Sequence, residues 1–572
     1  MRAIREILIG AFLALAIAAA GAGAAQAELS FSSPQTLFPV DTGKPRIGVD
    51  GQGRATVVAQ QAGPGGSVLV QVKRLTPAGL PEPVDTLEEV ANIGQCVCAN
   101  LVVDPAGNAT VLWVAAVEDE QRVAFVQIDA NGVPGSVRLL SPAGLEDLAF
   151  AAAGAPDGSI AVAWESGGPD THLEVARIDP EGNPEEPHML TEPGEGGDFP
   201  ALAAGPDSSF HVAWGQGGYG GVDYTVLDGE GAPGPTQTVS PEGEQANVPA
   251  IVVDDENRVT IAWYRGSGLY EDKVVRLDAE GNPGTVWPLS PTDQDVFGPK
   301  LAVDGQGRVT AVWETFNARV FSTPLAADGS PEEVRPLSLE GHRAGQPQVA
   351  ATDDGRVVVA WNHSAEIITE ESCGVTHFEP EDDVVRVMTL GGDGAPTNEY
   401  DISARGEEAA EVQLALDPHG LPWVVWKSYD GNYFCVNPAT RVQEAHALAP
   451  EPSVNPPVEP PTDPEPGPTS AAPKLRLAKR GTLRDGRVLI NAGCHGGVGR
   501  CAGAIRLESA LRHLAQGRFG IATGRTRQLA LPVSKAAKRL LASGNSSWIT
   551  ASARGKGLAP KTVRIRVLDA SR

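Results

Sequence analysis

The sequence predicts an all-β protein: an eight-bladed β-propeller with four antiparallel strands per blade, its ring closed by the N-terminal strand, and then a small C-terminal β-sandwich. Three observations predict this. Tryptophan recurs at a near-constant interval, each Trp closes the same apolar phrase, and a second turn of similar form follows in most intervals. Repeats of about fifty residues built from short strands are the sequence mark of propeller blades.

Trp113, Trp164, Trp214, Trp263, Trp313, Trp361 and Trp426 stand 51, 50, 49, 50, 48 and 65 residues apart. The phrase that ends at Trp313 begins at Leu301, and the one that ends at Trp113 begins at Leu101. An earlier copy, Ile47 to Ala59, has Asp50 and Gly53 in place and Ala59 where the others carry Trp, which makes eight. Each phrase reads as a hairpin. An apolar strand ends at Asp, and Gly three residues later takes the positive φ of the turn, as in Asp104/Gly107, Asp304/Gly307 and Asp417/Gly420. The third, fourth and seventh copies shift or lose the Asp (Asp157, Asp207, Asp353). A second turn follows, as at Asp129, Asp228 and Asp278, and then a short strand near Leu140-Ser141-Pro142 or Leu289-Ser290-Pro291. The stretch Leu29 to Pro39 resembles an isolated fourth strand, and the last repeat, through Arg441 to Ala449, lacks one. The two are expected to pair, which leaves no long open sheet edge. The regular tryptophans are expected in the core, each burying on the order of 150–250 Å².

The Val-Asp-x-x-Gly-Asn/Arg-x-x-Val phrase resembles the repeats of NHL-type and related bacterial β-propeller proteins over about a dozen residues per repeat, with Trp where that family often has Asp. The resemblance implies a propeller that binds protein, glycan or nucleic acid, with some enzymatic members.

Residues 1–27 read as a secretory signal: Arg2 and Arg5, an apolar run from Ile7 to Ala20, and Ala25-Gln26-Ala27 for cleavage. The propeller spans 28–449. Residues 450–473 hold ten prolines in 24 positions and form a stiff spacer. The last segment, 474–572, resembles small C-terminal β domains of exported actinobacterial proteins, with a short helix expected at Ser534 to Ala542. It carries 21 Lys and Arg against three acids, a charge of +18, while the rest of the chain has 24 against 69, or −45. The expected localisation is secreted and extracellular, associated with the envelope and not spanning a membrane. The basic segment suits an anionic envelope polymer, or the acidic propeller itself. The acidic balance of the whole chain argues against nucleic acid.

Six cysteines in an oxidising compartment read as disulfides. Cys494 and Cys501 flank a glycine-rich loop and are expected to pair. Cys373 and Cys435 lie in inserts of neighbouring repeats and are the natural second pair, with Cys96 and Cys98 leaving other pairings open.

No catalytic residue is assigned. Sialidase Asp boxes, Ser-x-Asp-x-Gly-x-x-x-Trp, are absent, since Asp157-Gly158 places the two side by side. The ten histidines show no pair at helical metal spacing, and one Asp per turn is too few for calcium, so no metal or cofactor is expected. Irregular parts of a regular array carry function. The candidate face therefore joins His363, Glu371, His377 and Asp382 of one insert to Tyr429 and Tyr433 of the next. The expected function is non-catalytic recognition of a glycan or protein through the propeller face. Two alternatives are a glycan-active enzyme, sialidase-like hydrolase or polysaccharide lyase, and a structural surface protein.

Overall fold

The computed structural model describes residues 29–449 and 474–569 apart from interrupting stretches, the longest of them 91–98, 143–149, 431–438 and 534–546. The expected signal, the proline-rich spacer and the helix at 534–542 lie outside the described residues. The chain divides into two compact units, Met1–Pro452 and Ser453–Arg572.

The described residues of the first unit are all β, without a helix. Seven antiparallel sheets of four strands follow one another along the chain: sheet 1 (46–90), sheet 2 (100–139), sheet 3 (150–189), sheet 4 (198–238), sheet 5 (246–288), sheet 6 (296–336) and sheet 7 (343–401). Sheet 8 (408–448) has three strands of its own. Ser30–Phe31 and Gln35–Phe38 pair antiparallel to its strand Ala439–Leu448, through Ser30 with Leu448 and Gln35 with Glu444. The expected pairing of the chain's beginning with the last repeat is therefore present. The first strand of each sheet lies against the first strand of the next, and Glu408–Leu416 of sheet 8 lies against Arg46–Val49 of sheet 1.

The hairpin turns form as the phrase dictates. Asp50 Oδ1 accepts the N–H of Gln52 and Arg54 at 2.8 and 2.9 Å, and Gly53 takes φ 78°. Asp304 and Asp417 do the same, with Gly307 at φ 72° and Gly420 at φ 70°. In sheet 7 Thr352 takes the capping position instead of Asp353, and its hydroxyl accepts the Arg356 N–H at 3.0 Å. The Ser or Thr after each short fourth strand has a repeated task as well. Its hydroxyl accepts an N–H near the start of the third strand: Ser141 from Val123, Thr191 from Leu173, Ser240 from Val222, Ser290 from Asp272, Ser338 from Val320 and Ser403 from Val385, at 2.8–3.1 Å.

All seven repeat tryptophans are at most 1% exposed and pack between sheets, Trp313 of sheet 6 against Ala262 and Val274 of sheet 5. At about 25 cal/mol/Å², each buried ring contributes roughly 4–6 kcal/mol before entropy is subtracted. Sheet 1 has only Ala59 at this position, and Trp423 fills the space between sheets 8 and 1 in its place.

In each sheet the tight turns lie at one end, and the connections from second to third strand lie at the other. Turns of neighbouring sheets touch: the Gly51 N–H donates to Pro105 O at 3.0 Å, and the Asn257 amide to Asp207 at 2.9 Å. The unit thus has a turn end and a loop end.

The second unit is a seven-stranded sheet of Lys474–Arg484, Arg487–His495, Arg500–Ser509, Arg512–Ala522, Thr526–Pro532, Ser547–Gly555 and Leu558–Asp569. Where the sequence suggests two stacked sheets, the strands form one hydrogen-bonded path with a parallel pairing of Arg480–Leu483 to Arg566–Asp569. Alternating residues such as Val488, Ile490, Ile505, Leu507, Ile565 and Val567 enclose its core, which includes the Cys494–Cys501 disulfide. Lys474, Arg476, Arg487, Arg518, Arg525 and Arg527 are exposed.

Candidate functional site

The loop end of sheets 4 to 8 departs from regularity in a repeated way. The first strand of each of these five sheets carries a β-bulge before it joins its partner in register: at Asp198/Ala201, Asn247/Ala250, Phe297/Lys300, Gly345/Gln348 and Ala410/Gln413. The bulged residue holds a left-handed backbone in four of them: Phe199 (φ 51°), Val248 (50°), Gln346 (53°) and Glu411 (54°). This conformation costs a residue with a side chain about 1–2 kcal/mol, and a β-branched valine is its rarest occupant. Strain that persists in this way marks functional sites.

At the seam of sheets 5 and 6, four aromatic rings form one row. Tyr264 stacks on Tyr270 (centroids 5.2 Å apart), Tyr270 on Phe316 (5.6 Å) and Phe316 on Phe297 (4.2 Å), with interplanar angles of 14–16°. Tyr264 and Tyr270 flank the loop between the second and third strands of sheet 5. Phe316 follows the second strand of sheet 6, and Phe297 lies in the bulge of its first strand. The inner end of the row is covered, and burial together with the neighbouring Tyr270 pushes the Tyr264 phenol up to about 12. The outer end is open: Phe316 is 51% and Phe297 46% exposed.

Phe297 also borders a cavity of about 310 Å³ lined by Lys300, Glu314, Gln346, Gln348, Glu411 and Gln413. The walls of this cavity are tied together. The Gln346 N–H donates to Glu314 at 2.7 Å, and the Gln346 side-chain Oε1 accepts the Glu411 N–H at 2.6 Å. Glu411 in turn faces Lys44 at 3.6 Å. Burial holds Glu314 above the usual carboxylate range, against the pull of the Gln346 N–H and Arg343. Lys300 is lowered because protein surrounds it and Arg46 lies near. Its side chain is nonetheless open to solvent, as in a water-filled channel.

Beneath the row lies Asp272, wholly buried, with neither carboxyl oxygen hydrogen-bonded. Burial, and then Glu271, raises its carboxyl well above the usual carboxylate range, because burial disfavours the charged form. Glu271 itself pairs with Arg265 at 3.0 Å. The other sheets place Val123, Leu173, Val222, Val320 and Val385 where sheet 5 has Asp272, each with the same Ser or Thr partner to its N–H. An acid replaces an aliphatic residue only beside the aromatic row.

Of the residues singled out from the sequence, His363, Glu371, His377 and Tyr429 lie at the same end, in the parts of the chain that form sheets 7 and 8. His363 is 3% exposed and stacks on His342 with centroids 5.1 Å apart. Burial, then Arg386 and His342, lower it to about 4, so both its place and its charge state make it a buried neutral support. Glu371 and His377 belong to an antiparallel strand pair, Ile367–Ser372 with Val375–Pro380, inserted between the second and third strands of sheet 7. Tyr429 is half-buried with the Lys427 ammonium 5.3 Å from its ring. Asp382, Tyr433, Cys373 and Cys435 lie outside the described residues.

Sequence reasoning missed the aromatic row because its members come from four separate stretches spanning Tyr264 to Phe316. The legible signal was Asp272, the one acid at a position that is otherwise aliphatic.

Among the described residues no group of three or more His, Cys, Asp or Glu could hold a metal ion, and no helix is long and apolar enough to cross a membrane. No protein-family model matches the chain, and no curated protein matches it. Solved structures do. The BP39L lectin of Burkholderia pseudomallei is similar at 15% identity and a TM-score of 0.42, over 65% of this chain and 100% of that one. The β-propeller domain of the Trilobed protease of Pyrococcus furiosus is similar at 11% and 0.38, over 64% and 98%. The NanB sialidase of Streptococcus pneumoniae is similar at 9% and 0.35, over 73% and 93%.

Proposed function

We propose that this chain is an exported binding protein. Its eight sheets are the blades of a closed propeller, and its loop end recognises a glycan at the Phe297 corner. The observation that carries the reading is the row of four stacked rings, open at its outer end and bordering a preorganised polar cavity. A sugar ring presents a flat C–H face and an edge of hydroxyls. The face stacks on Phe297 and Phe316, and the hydroxyls meet the amides of Gln346, Gln348 and Gln413 and the Glu411 carboxylate. A concave site with an apolar wall and a few fixed polar groups is the usual form of a small-ligand site. The strained bulges keep these groups in place before the ligand arrives, which lowers the entropic cost of binding. The hairpin 367–380 and Tyr429 extend the same end toward sheets 7 and 8 and lengthen the surface for a polymer. The basic segment 474–572 holds the protein to an anionic envelope polymer.

A second reading, a glycan hydrolase or lyase, draws on Glu314 and Asp272, two carboxyl groups held above their usual range at the same seam. One experiment addresses both. The full chain is incubated with a polysaccharide panel, and retention is read by affinity electrophoresis and cleavage by new reducing ends. Retention without cleavage that is lost in Phe297→Ala/Phe316→Ala supports binding. New reducing ends that disappear in Glu314→Gln support the enzyme. Retention unchanged by the double substitution rejects the site.

A further inference from the structure

A cavity of the first unit lies at the turn end, between sheets 2 and 3, and comparison with the other seams shows why it exists. Five seams are crossed there by an arginine that donates to a turn carbonyl of the next sheet. Arg54 reaches Ala130 O at 2.7 Å and Arg74 reaches Gly107 O at 3.0 Å between sheets 1 and 2. Arg177 reaches Gly229 O (3.1 Å), Arg276 Gly307 O (2.8 Å), Arg308 Gly392 O (3.2 Å) and Arg356 Gly420 O (2.8 Å) at the third, fifth, sixth and seventh seams. Two further seams carry a ring pair instead, Trp423 on His446 and His211 on Tyr224, the latter bordering a smaller cavity of about 170 Å³.

The seam of sheets 2 and 3 has, among the described residues, no ring pair and no arginine at the positions of Arg54 or Arg74; its arginine tie comes from the short fourth strand instead. Asn108 stands where sheets 1, 5, 6 and 7 carry Arg54, Arg258, Arg308 and Arg356. Gln127 stands where sheets 1, 3 and 5 carry Arg74, Arg177 and Arg276. Arg138 still ties the outer edge to Gly182 O, as Gln237 ties to Gly281 O elsewhere, so only the inner guanidinium is missing. What remains is a space of about 720 Å³ lined by Asp104, Asn108, Thr110, Gln127, Gly158 and Pro180 among others. Gly158 and Pro180 hold the turn positions whose carbonyls accept arginine in the other seams. The acid has been uncovered as well. Asp50, Asp254 and Asp304 are 3–6% exposed under the arginine Nε that donates to each, at 2.7–2.8 Å. Asp104 accepts the Asn108 N–H at 2.8 Å and, in place of an arginine, the Asn108 side-chain amide at 2.7 Å, and it is partly exposed.

We propose that this cavity binds a guanidinium group brought by a ligand, which lies over Asp104 and donates to the carbonyls of Gly158 and Pro180 as the chain's own arginines do in five other seams. A planar guanidinium donates in two directions at once, which an ammonium does not reproduce. The −45 charge of the chain outside the basic segment draws such a cation in. The group has two sources, a free small cation or an arginine side chain of a peptide.

The test is isothermal titration of the full chain with agmatine, with acetyl-Gly-Arg-Gly-amide, and with the same peptide carrying citrulline. The expected result is saturable one-to-one binding of at least one guanidinium probe and none of the citrulline peptide, which is neutral but nearly the same shape. Binding of agmatine alone identifies a small cation as the source, and binding of both includes peptides. Asn108→Arg, which supplies the missing arginine from within, is expected to weaken binding at least about ten-fold and to raise the melting temperature. Gln127→Arg is the second variant should the first not fold. Glycan retention at the opposite end is expected to be unchanged in both, so the two readings fail separately. No saturable binding of either guanidinium probe below about 10 mM, equal binding of the citrulline peptide, or full binding by the folded variants would overturn the proposal.

Discussion

The side-chain amide of Gln35 donates to the carboxylate of Glu444, 409 residues away, and to Gly79 O at 2.6 Å. Glu444 is wholly buried, and His446 approaches its other oxygen at 3.3 Å. One side chain of the N-terminal strand therefore touches both the last sheet and a turn of the first. The closed ring proposed above depends on this contact, because Gln35 is the joint between the end of the array and its beginning.

Removing the Gln35 amide leaves a buried carboxylate short of a donor, which costs about 1–3 kcal/mol. Gln35→Ala is expected to lower the unfolding free energy of the full chain by that amount, read as a lower urea midpoint. Gln35→Glu is expected to cost more, since it places a second carboxylate against the first. An unchanged midpoint in both would show that the strand 35–38 does not hold the ring.

Asp272 gives stability a pH dependence of definite sign. Its carboxyl is raised in the fold, so the folded chain keeps its proton to higher pH than the unfolded chain, which releases it above the ordinary aspartate value of about 3.9. Its contribution is greatest below that value and falls as pH rises. Asp272→Val, the residue most other sheets use, is expected to be more stable than the parent by about 1–3 kcal/mol at pH 7. The difference is expected to shrink toward pH 4. Urea unfolding across that range reads it directly, and a gap independent of pH would mean that Asp272 is not buried as described.

Trp313 and Phe316 lie three residues apart and separate core from site. Trp313 is 0% exposed and Phe316 51%. Trp313→Ala is expected to cost about 3–5 kcal/mol. Phe316→Ala is expected to change stability by less than about 1 kcal/mol while weakening glycan binding by about ten-fold or more. Paired unfolding and binding curves check both halves.

The basic segment predicts a steep salt dependence. Retention of the full chain on an anionic polysaccharide at low salt is expected to vanish near 0.5 M, where the Debye length is about 4 Å. Binding to a neutral glycan through the stacked rings is expected to persist there. Loss of both together would place the two activities on one charged surface.

The sequence made the repeat legible because a hairpin and its Trp are local. The Asp-x-x-Gly turn, the Trp position and the pairing of 30–38 with 439–448 could all be read from spacing. Irregularities were legible only where they changed length, as in the insert after Asn362. The row of Tyr264, Tyr270, Phe316 and Phe297 changes no length, and its rings meet only when two sheets pack. The gap left by Asn108 and Gln127 is of the same kind, since an Asn in place of an Arg is unremarkable until the neighbouring seams show what an Arg does there. Asp272 sits between these cases: aligned repeats expose it, but its meaning needs the burial.

The most direct test of the account is hydrogen exchange of the full chain with and without a retained oligosaccharide. The account predicts new protection in 264–272, 295–301, 314–317, 345–348 and 410–413, the stretches that form the aromatic row and its cavity, with the turn end unchanged. Protection confined to the insert 365–382, to 431–438 or to the segment 474–572, with the Phe297 corner unaffected, would contradict it.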